Sequence, residues 1–180
     1  MKTNIPPRPE LYDPELVLVA VRKALCFCFI SNGTYCFFSE EQLALVRDCC
    51  IHEGFKVSQR GYQLLRCLER HYPDRFDFAA FEDSHIAAFA QIGKVLYELH
   101  REAVRCWVED NGIRPQLPAG RRIRMRDGLE EVSATILGNA DKDGFYGCYW
   151  VRKDCSGDAP MLVRYEDRSL KPEAANTGAE

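Results

Sequence analysis

The hydrophobic pattern changes its period once along the chain. In the N-terminal part apolar residues recur at spacings of three and four, whereas the C-terminal part alternates between apolar and polar positions in short runs. The segment between them carries Pro115, Pro118 and Gly120, which interrupt regular structure. The pattern predicts an α+β protein with an all-helical bundle over 1–114 and a small antiparallel β domain over 119–170.

About four helices are predicted in the bundle. Asp13 and Pro14 make a helix start, because an aspartate caps the first turn and a proline there loses no hydrogen bond. Ser39 and Gln42 form a capping box that marks the second start. The predicted helices run over about 14–30, from Ser39 to near His52, between Ser58 and Pro73, and from Asp77 or Asp83 to Asp110.

The last of these helices carries an apolar stripe at alternating spacings of four and three, formed by His85, Phe89, Ile92, Leu96, Leu99, Ala103 and Cys106. Small neighbours such as Ala88 and Gly93 broaden the stripe, which favours a central helix covered by the other three. The alternative is a homodimer through the 83–110 helix.

Four strands are predicted in the C-terminal domain, at Arg121–Arg126, Val132–Leu137, Phe145–Lys153 and Met161–Tyr165. Their order, and the segment Leu162–Leu170 that looks like a last strand running into a short helical turn, resemble the SH3-like barrels of the Tudor and KOW kind. This resemblance covers residues 120–170 and implies a closed antiparallel barrel. The polar residues 171–180 are predicted to form a disordered tail.

Composition excludes several classes of protein. The chain has 24 Lys and Arg against 27 Asp and Glu, so it is no polycation, and electrostatic binding must depend on local patches. The longest apolar run, Leu16–Ile30, is interrupted by Arg22 and Lys23, and no signal peptide is evident. Nine cysteines without a CxxC pair indicate reduced thiols. We therefore expect a cytoplasmic protein without a membrane partner.

An arginine row is the first candidate binding feature. Arg122, Arg124 and Arg126 share one face of the first strand by its period of two, and Arg114 and Arg121 lie just upstream. Guanidinium groups in a row suit phosphates or carboxylates. The alternative is a solvated face paired with local acids, because residues 119–170 contain nine basic and nine acidic side chains.

Aromatic residues crowd the third predicted strand. Alternation places Phe145 and Tyr149 on one face and Tyr146 and Trp150 on the other. One pair must fill the core, so the second pair, Tyr146 and Trp150, is the candidate for stacking on a base or holding a cation.

A helix-turn-helix is an alternative interpretation of the second and third helices. Its reading face would carry side chains of the types that contact bases and phosphates, namely Gln59, Gln63, Arg66 and Arg70. The connection is longer than such motifs use, and Leu64, Leu65 and Leu68 need only an ordinary helical hairpin.

Metal and catalytic motifs are incomplete. Cys67 and His71 stand four apart, with Cys49, Cys50 and His52 upstream, but these spacings match no standard zinc finger. A calcium-like run from Asn139 has Trp150 where a glutamate is needed, and His85 and His100 lie in no recognisable catalytic motif. We predict no metal, no cofactor and no catalytic residue.

These observations predict a non-enzymatic adaptor or regulator that binds nucleic acid or a nucleoprotein through the arginine strand and the barrel aromatics. The first alternative is a purely protein-binding adaptor or inhibitor. The second is an enzyme of undetected type.

Overall fold

The computed structural model describes residues 5–31, 38–54, 61–154, 159–167 and 169–173. Helices come first and an antiparallel sheet follows, which confirms the predicted α+β class. The chain divides into two compact units, called here the helical unit, Pro7–Ala103, and the sheet unit, Met1–Pro6 with Val104–Glu180. Separate folding of 1–114 and 119–170 stays a prediction.

The predicted four helices are confirmed. They are α1 (Pro14–Ser31), α2 (Glu40–His52), α3 (Gly61–His71) and α4 (Asp83–Asp110), with a short 3-10 helix at Phe78–Ala80. The Asp13 carboxylate accepts hydrogen bonds from the backbone N–H groups of Glu15 and Leu16, at 3.0 and 3.1 Å, and so caps α1. Within the described part of the chain, no helix combines the length and apolar content needed to cross a bilayer.

The start of α2 has the capping box that the sequence predicts. The Gln42 N–H donates to Ser39 Oγ at 3.2 Å, and the Ser39 N–H donates to Gln42 Oε1 at 3.0 Å. The Gln42 side-chain amide also donates to the Arg75 carbonyl oxygen at 2.9 Å. The cap therefore links α2 to the chain that follows α3.

The core of the helical unit is apolar and large, and its biggest fully buried side chains are Val17, Val21, Val46, Leu64, Leu68, Phe89, Ile92 and Leu96. Of the seven stripe residues of α4, the first four, from His85 to Leu96, are buried, Leu99 and Ala103 are half-buried, and Cys106 is exposed. The first half of the stripe is thus covered within the helical unit. Gly61 lies so close to α4 that a Cβ there would overlap the Ile86 carbonyl oxygen, so α3 can pack here only with glycine.

The sheet unit contains a five-stranded antiparallel sheet with the strand order β4-β3-β2-β1-β5. The strands are β1 (Arg122–Asp127), β2 (Glu130–Asn139), β3 (Cys148–Lys153), β4 (Met161–Arg164) and β5 (Lys171–Pro172). The last strand, which the sequence assigns to the tail, pairs Lys171 with Arg124 and Pro172 with Ile123.

One side of the sheet covers a small core, formed by Ile123, Met125, Ala134, Ile136, Tyr149, Val151 and Val163. The Tyr149 hydroxyl accepts hydrogen bonds from the backbone N–H groups of Gln116 and Leu117, at 2.8 and 3.0 Å. The proline-containing segment is therefore held against the sheet by a core side chain. A register shift between Ile136 and Gly138 puts a β-bulge at Leu137.

The third strand begins at Cys148, later than the predicted Phe145. The residues before it form a 3-10 turn at Asp141–Asp143, and Gly144 and Gly147 have φ values of 83° and 66°. Asp141 Oδ1 accepts from the Gly147 N–H at 2.8 Å, and Asp141 Oδ2 accepts from the Tyr165 hydroxyl at 3.2 Å. The calcium-like acids thus hold a turn, and strand alternation does not extend to Phe145 and Tyr146.

Candidate functional site

The side of the sheet opposite its core, called here the outer face, is rich in arginine. Strand register places Arg122 beside Thr135, and Thr135 beside Arg152 of β3. Arg124 and Arg126 follow along β1, while the buried Ile123 and Met125 alternate with them. The predicted alternation of β1 is present, and the exposed arginines of this face lie on β3 as well as on β1.

Local carboxylates contact the first two arginines of this face. Arg122 lies 2.7 Å from Asp154 and 3.5 Å from Glu173, and Arg124 lies 3.6 Å from Glu173. The Arg121 guanidinium donates to the Glu173 carbonyl oxygen at 2.9 Å. Exposed pairs of this kind stabilise a protein by only about 0–1 kcal/mol, so a stronger anion can displace them. Binding by Arg121, Arg122 and Arg124 stays a prediction.

Three other arginines of the outer face are more open to a ligand. Arg126, Arg152 and Arg164 are exposed, and none of them forms an ion pair with another residue that the structure describes. Arg126 and Arg164 line the same open cavity of about 480 Å³, together with the acidic Glu166 and Asp167. Arg114 is also exposed and has no ion-pair partner among the described residues.

A groove beside Trp150 is the second feature of the outer face. It has a volume of about 440 Å³ and is lined by Leu137, Gly138, Asn139, Trp150 and Pro160. Gly138 stands opposite Trp150 in the ladder, and Leu162 of β4 flanks Trp150 on its other side. Leu137 and Leu162 are 40 % and 36 % exposed, so apolar surface remains open around the indole.

Two contacts fix the Trp150 side chain. Its Nε1–H donates to Asp143 Oδ2 at 2.6 Å, and its ring meets the Phe145 ring edge to face, with centroids 5.5 Å apart at 76°. A ring held in this way loses little conformational entropy when a ligand stacks on it.

The predicted aromatic pair is not brought together. Tyr146 packs against Val104, Trp107 and Val108, in a cluster that does not contain Trp150. The prediction that Tyr146 and Trp150 share one strand face is wrong because β3 begins only at Cys148. Trp150 alone remains on the outer face.

Register across strands reveals residues that sequence reasoning missed. Arg152 follows Trp150 by two positions on β3, and Arg164 follows Leu162 by two positions on antiparallel β4. The Trp150 and Leu162 pair therefore lies between two arginines, each about 7 Å away along its strand. The signal for Arg152 was present in the sequence, since it shares the parity of Trp150, but the position of Arg164 depends on the pairing of two separate strands.

The helix-face candidates belong to α3. Gln63, Arg66 and Arg70 are exposed there, and the Arg66 guanidinium lies 4.5 Å from the centre of the Tyr62 ring. Gln59 falls outside the described residues. The connection from α2 to α3 spans residues 53–60, longer than the three or four residues typical of a helix-turn-helix.

The groups that an enzyme would need have structural partners. His85 Nδ1 accepts from the Glu82 N–H at 3.0 Å beside a cavity of about 140 Å³, and His100 Nε2 lies 3.2 Å from the Pro9 carbonyl oxygen. Burial raises the pKa of the Cys50 thiol to about 12, and burial also raises the pKa of Cys49 and Cys67. Such thiols stay protonated at neutral pH, which does not suit a nucleophile.

No family, curated protein or solved structure matches the chain.

Proposed function

We propose that this protein is a non-enzymatic binding module that holds nucleic acid, or a nucleoprotein that presents it, on the outer face of its sheet. The observation that carries the proposal is the position of the Trp150 and Leu162 pair between Arg152 and Arg164. An aromatic ring flanked by guanidinium groups suits a base that stacks while its neighbouring phosphates are neutralised. This arrangement favours a single strand, whose bases are accessible.

The strand order supports the resemblance on which part of this proposal rests. Five antiparallel strands with β5 returned to β1 are consistent with an SH3-like barrel of the Tudor and KOW kind. We accordingly propose that kind of barrel for residues 120–170, with β5 (Lys171–Pro172) added beside β1.

The charge of the face favours an anionic ligand. Arg122, Arg124, Arg126, Arg152, Arg164 and Lys171 contribute positive charge, and three carboxylates contact members of this set, namely Glu131, Asp154 and Glu173. These six cations outnumber the three carboxylates that pair with them, although Glu166 and Asp167 lie beside Arg126 and Arg164 and the chain as a whole carries −3. Local excess charge governs association with a polyanion, because salt screens more distant groups.

The test is a titration of the full chain with fluorescein-labelled single-stranded DNA and RNA at two or more salt concentrations. We expect the double variant Arg152→Gln and Arg164→Gln to weaken binding and to flatten the slope of log affinity against log salt by about 0.7–0.9 per lost phosphate contact. The triple variant Arg122→Gln, Arg124→Gln and Arg126→Gln should remove about two to three units of slope if all three contact phosphate.

The matched control replaces Lys94 and Arg101, two exposed cations of α4 in the helical unit, by glutamine. This control removes the same charge and should leave the slope nearly unchanged. Equal loss in the control and in the Arg152 and Arg164 variant, or full binding by both arginine variants, overturns the proposed site.

A second candidate function is recognition of a protein ligand. The observation that favours it is the apolar groove, in which Leu137 and Pro160 stand beside Trp150. Buried aromatic anchors dominate many protein interfaces.

The variant Trp150→Leu separates the two functions, because it keeps an apolar side chain in the wall of the groove and removes the aromatic surface on which a base would stack. Nucleic-acid binding should fall about 5- to 100-fold in this variant, as expected from loss of one stacked base, whereas Leu137→Ser should weaken only a protein ligand.

Cytoplasmic placement is part of the proposal. Cys49, Cys50, Cys67, Cys106 and Cys148 are not in disulfides, as expected for a reducing compartment. We do not extend the proposal to a homodimer through the 83–110 helix, because Phe89, Ile92 and Leu96 are buried within the helical unit.

A further inference from the structure

The helical unit brings together three side chains with metal-binding atoms at the ends of α2 and α3, and a fourth lies next to them. The carboxylate of Glu53, the thiol of Cys67 and the imidazole of His71 have ligand atoms that all lie within 4.8 Å of one another. Glu53 Oε1 is 3.7 Å from His71 Nε2. The Cys49 thiol neighbours the Cys67 thiol on the α2 side, outside this group of three.

The spacing of these residues along the helices explains the cluster. Cys49 and Glu53 stand four apart at the end of α2, and Cys67 and His71 stand four apart at the end of α3. Residues four apart occupy one face of a helix, one turn above the other. Two neighbouring helices thus present one pair of ligands each.

The distances are close to those of a zinc site. Zinc ligands at about 2.0–2.3 Å from the metal in a tetrahedron lie about 3.3–3.8 Å from one another. The Glu53 to His71 separation already falls in this range. The two separations from the Cys67 sulfur are at most 4.8 Å and must shorten by about 1 Å, which carboxylate and imidazole torsions supply. Cys67 is 7 % exposed while Glu53 and His71 are about two fifths exposed, so the cluster has a buried anchor and a path from solvent.

We propose that Glu53, Cys67 and His71 form a structural Zn²⁺ site that joins α2 to α3, with the neighbouring Cys49 thiol as the fourth ligand. Thiolate and imidazole ligands favour zinc over Mg²⁺ or Ca²⁺, which take oxygen ligands. On binding, each thiol gives its proton to solvent and its sulfur donates to the metal. Two thiolates and one carboxylate exceed the charge of Zn²⁺ by one, and Arg70, the residue before His71 in the last turn of α3, carries a compensating positive charge.

The experiment uses the full chain, freed of metal with a chelator and kept reduced with a phosphine. Zinc affinity and stoichiometry are measured by competition with a chromophoric chelator, and Co²⁺ is added separately to record its absorption spectrum. We expect one zinc per chain, tetrahedral cobalt bands with thiolate charge transfer, and a higher melting midpoint with zinc.

Single variants at the ligands should weaken zinc binding by more than about 100-fold, beyond what loss of a supporting residue causes. Cys49→Ser and Cys67→Ser should each remove part of the cobalt charge-transfer band. Glu53→Gln is the safeguard against misfolding, because its side chain is partly exposed and the isostere keeps its shape. Circular dichroism of each metal-free variant verifies the fold.

Two control variants test which residues belong to the proposed set of zinc ligands. Cys106→Ser changes an exposed cysteine, and His52→Gln changes a histidine 3.9 Å from Glu53 that is not assigned as a ligand. Both should bind zinc as the parent chain does. Failure of the parent chain to bind stoichiometric zinc, unchanged binding in Glu53→Gln and Cys67→Ser, or equal loss in Cys106→Ser overturns the proposal.

Discussion

The helical unit and the sheet unit differ in where their polar and reactive side chains lie. In the helical unit His85 and the thiols of Cys49, Cys50 and Cys67 are buried among apolar residues. In the sheet unit the buried set is almost entirely apolar, and the arginines stand on the outer face. A helix hides one stripe within a bundle, whereas a sheet that covers a core on one side displays a second side of alternating residues. Substitutions at buried positions of either unit should therefore change stability, whereas substitutions on the outer face of the sheet should change binding with little effect on stability.

The largest effect on the free energy of unfolding is expected from Phe89→Ala in the helical unit. Phe89 is fully buried in an aromatic cluster, with Phe81 and Phe38 at centroid distances of 5.7 and 6.2 Å. Removing the ring should lower the free energy of unfolding by about 3–5 kcal/mol. Urea unfolding followed at 222 nm measures it. Tyr97→Ala, an exposed position on the same helix, is the control, and equal losses in the two variants would contradict the assignment of the core.

In the sheet unit, Tyr149→Phe should have the next largest effect. The change removes one hydroxyl and leaves the N–H groups of Gln116 and Leu117 without their acceptor. We expect a loss of about 1–3 kcal/mol, and faster hydrogen exchange at those two amides. Tyr97→Phe provides the comparison. Unchanged exchange at residues 116 and 117 would show that the hydroxyl does not hold the segment.

Ser39→Ala tests a smaller contribution to the stability of the helical unit. Without Ser39 Oγ the Gln42 N–H at the start of α2 has no side-chain acceptor, so stability should fall by about 1 kcal/mol. Ser39→Thr retains a hydroxyl and should recover most of it. A melting midpoint equal to the parent's in Ser39→Ala would mean that the box contributes nothing in solution.

The smallest effect on stability is expected on the outer face. Arg152→Gln and Arg164→Gln should each change the free energy of unfolding by less than about 0.5 kcal/mol, because neither pairs with a carboxylate that the structure describes. Thermal unfolding of the two variants beside the parent protein measures the change. A loss above 1 kcal/mol would show that these arginines stabilise the fold, and the contrast between the units would fail.

Sequence reasoning succeeded where the signal is local. The capping box at Ser39 and Gln42 follows from residues three apart, and the four helices follow from spacings within one turn. The alternation of Arg122 with Ile123 likewise needs only one strand.

What the sequence did not reveal depends on pairing between distant segments. Arg164 becomes a neighbour of the Trp150 region only through the ladder between β3 and β4, and β5 exists because Lys171 meets Arg124. The sequence does not indicate Glu53 as part of the proposed zinc site for the same reason, since its nearness to His71 follows from the packing of α2 on α3. The late start of β3 was missed because Gly144 and Gly147 turn the chain with positive φ.

The bulge at Leu137 makes the groove depend on the length of β2 more than on its composition. Ile136 faces the core and Gly138 stands across from Trp150 on the outer face, with Leu137 as the additional residue between them. Deleting Leu137 alone would return the strand to regular alternation and leave Ile136 and Gly138 on their present sides. A chain shorter by this single residue would keep its sheet and lose one wall of the groove. Deletion of Leu137 is therefore a change of chain length, rather than of side-chain chemistry, that should remove this wall of the groove.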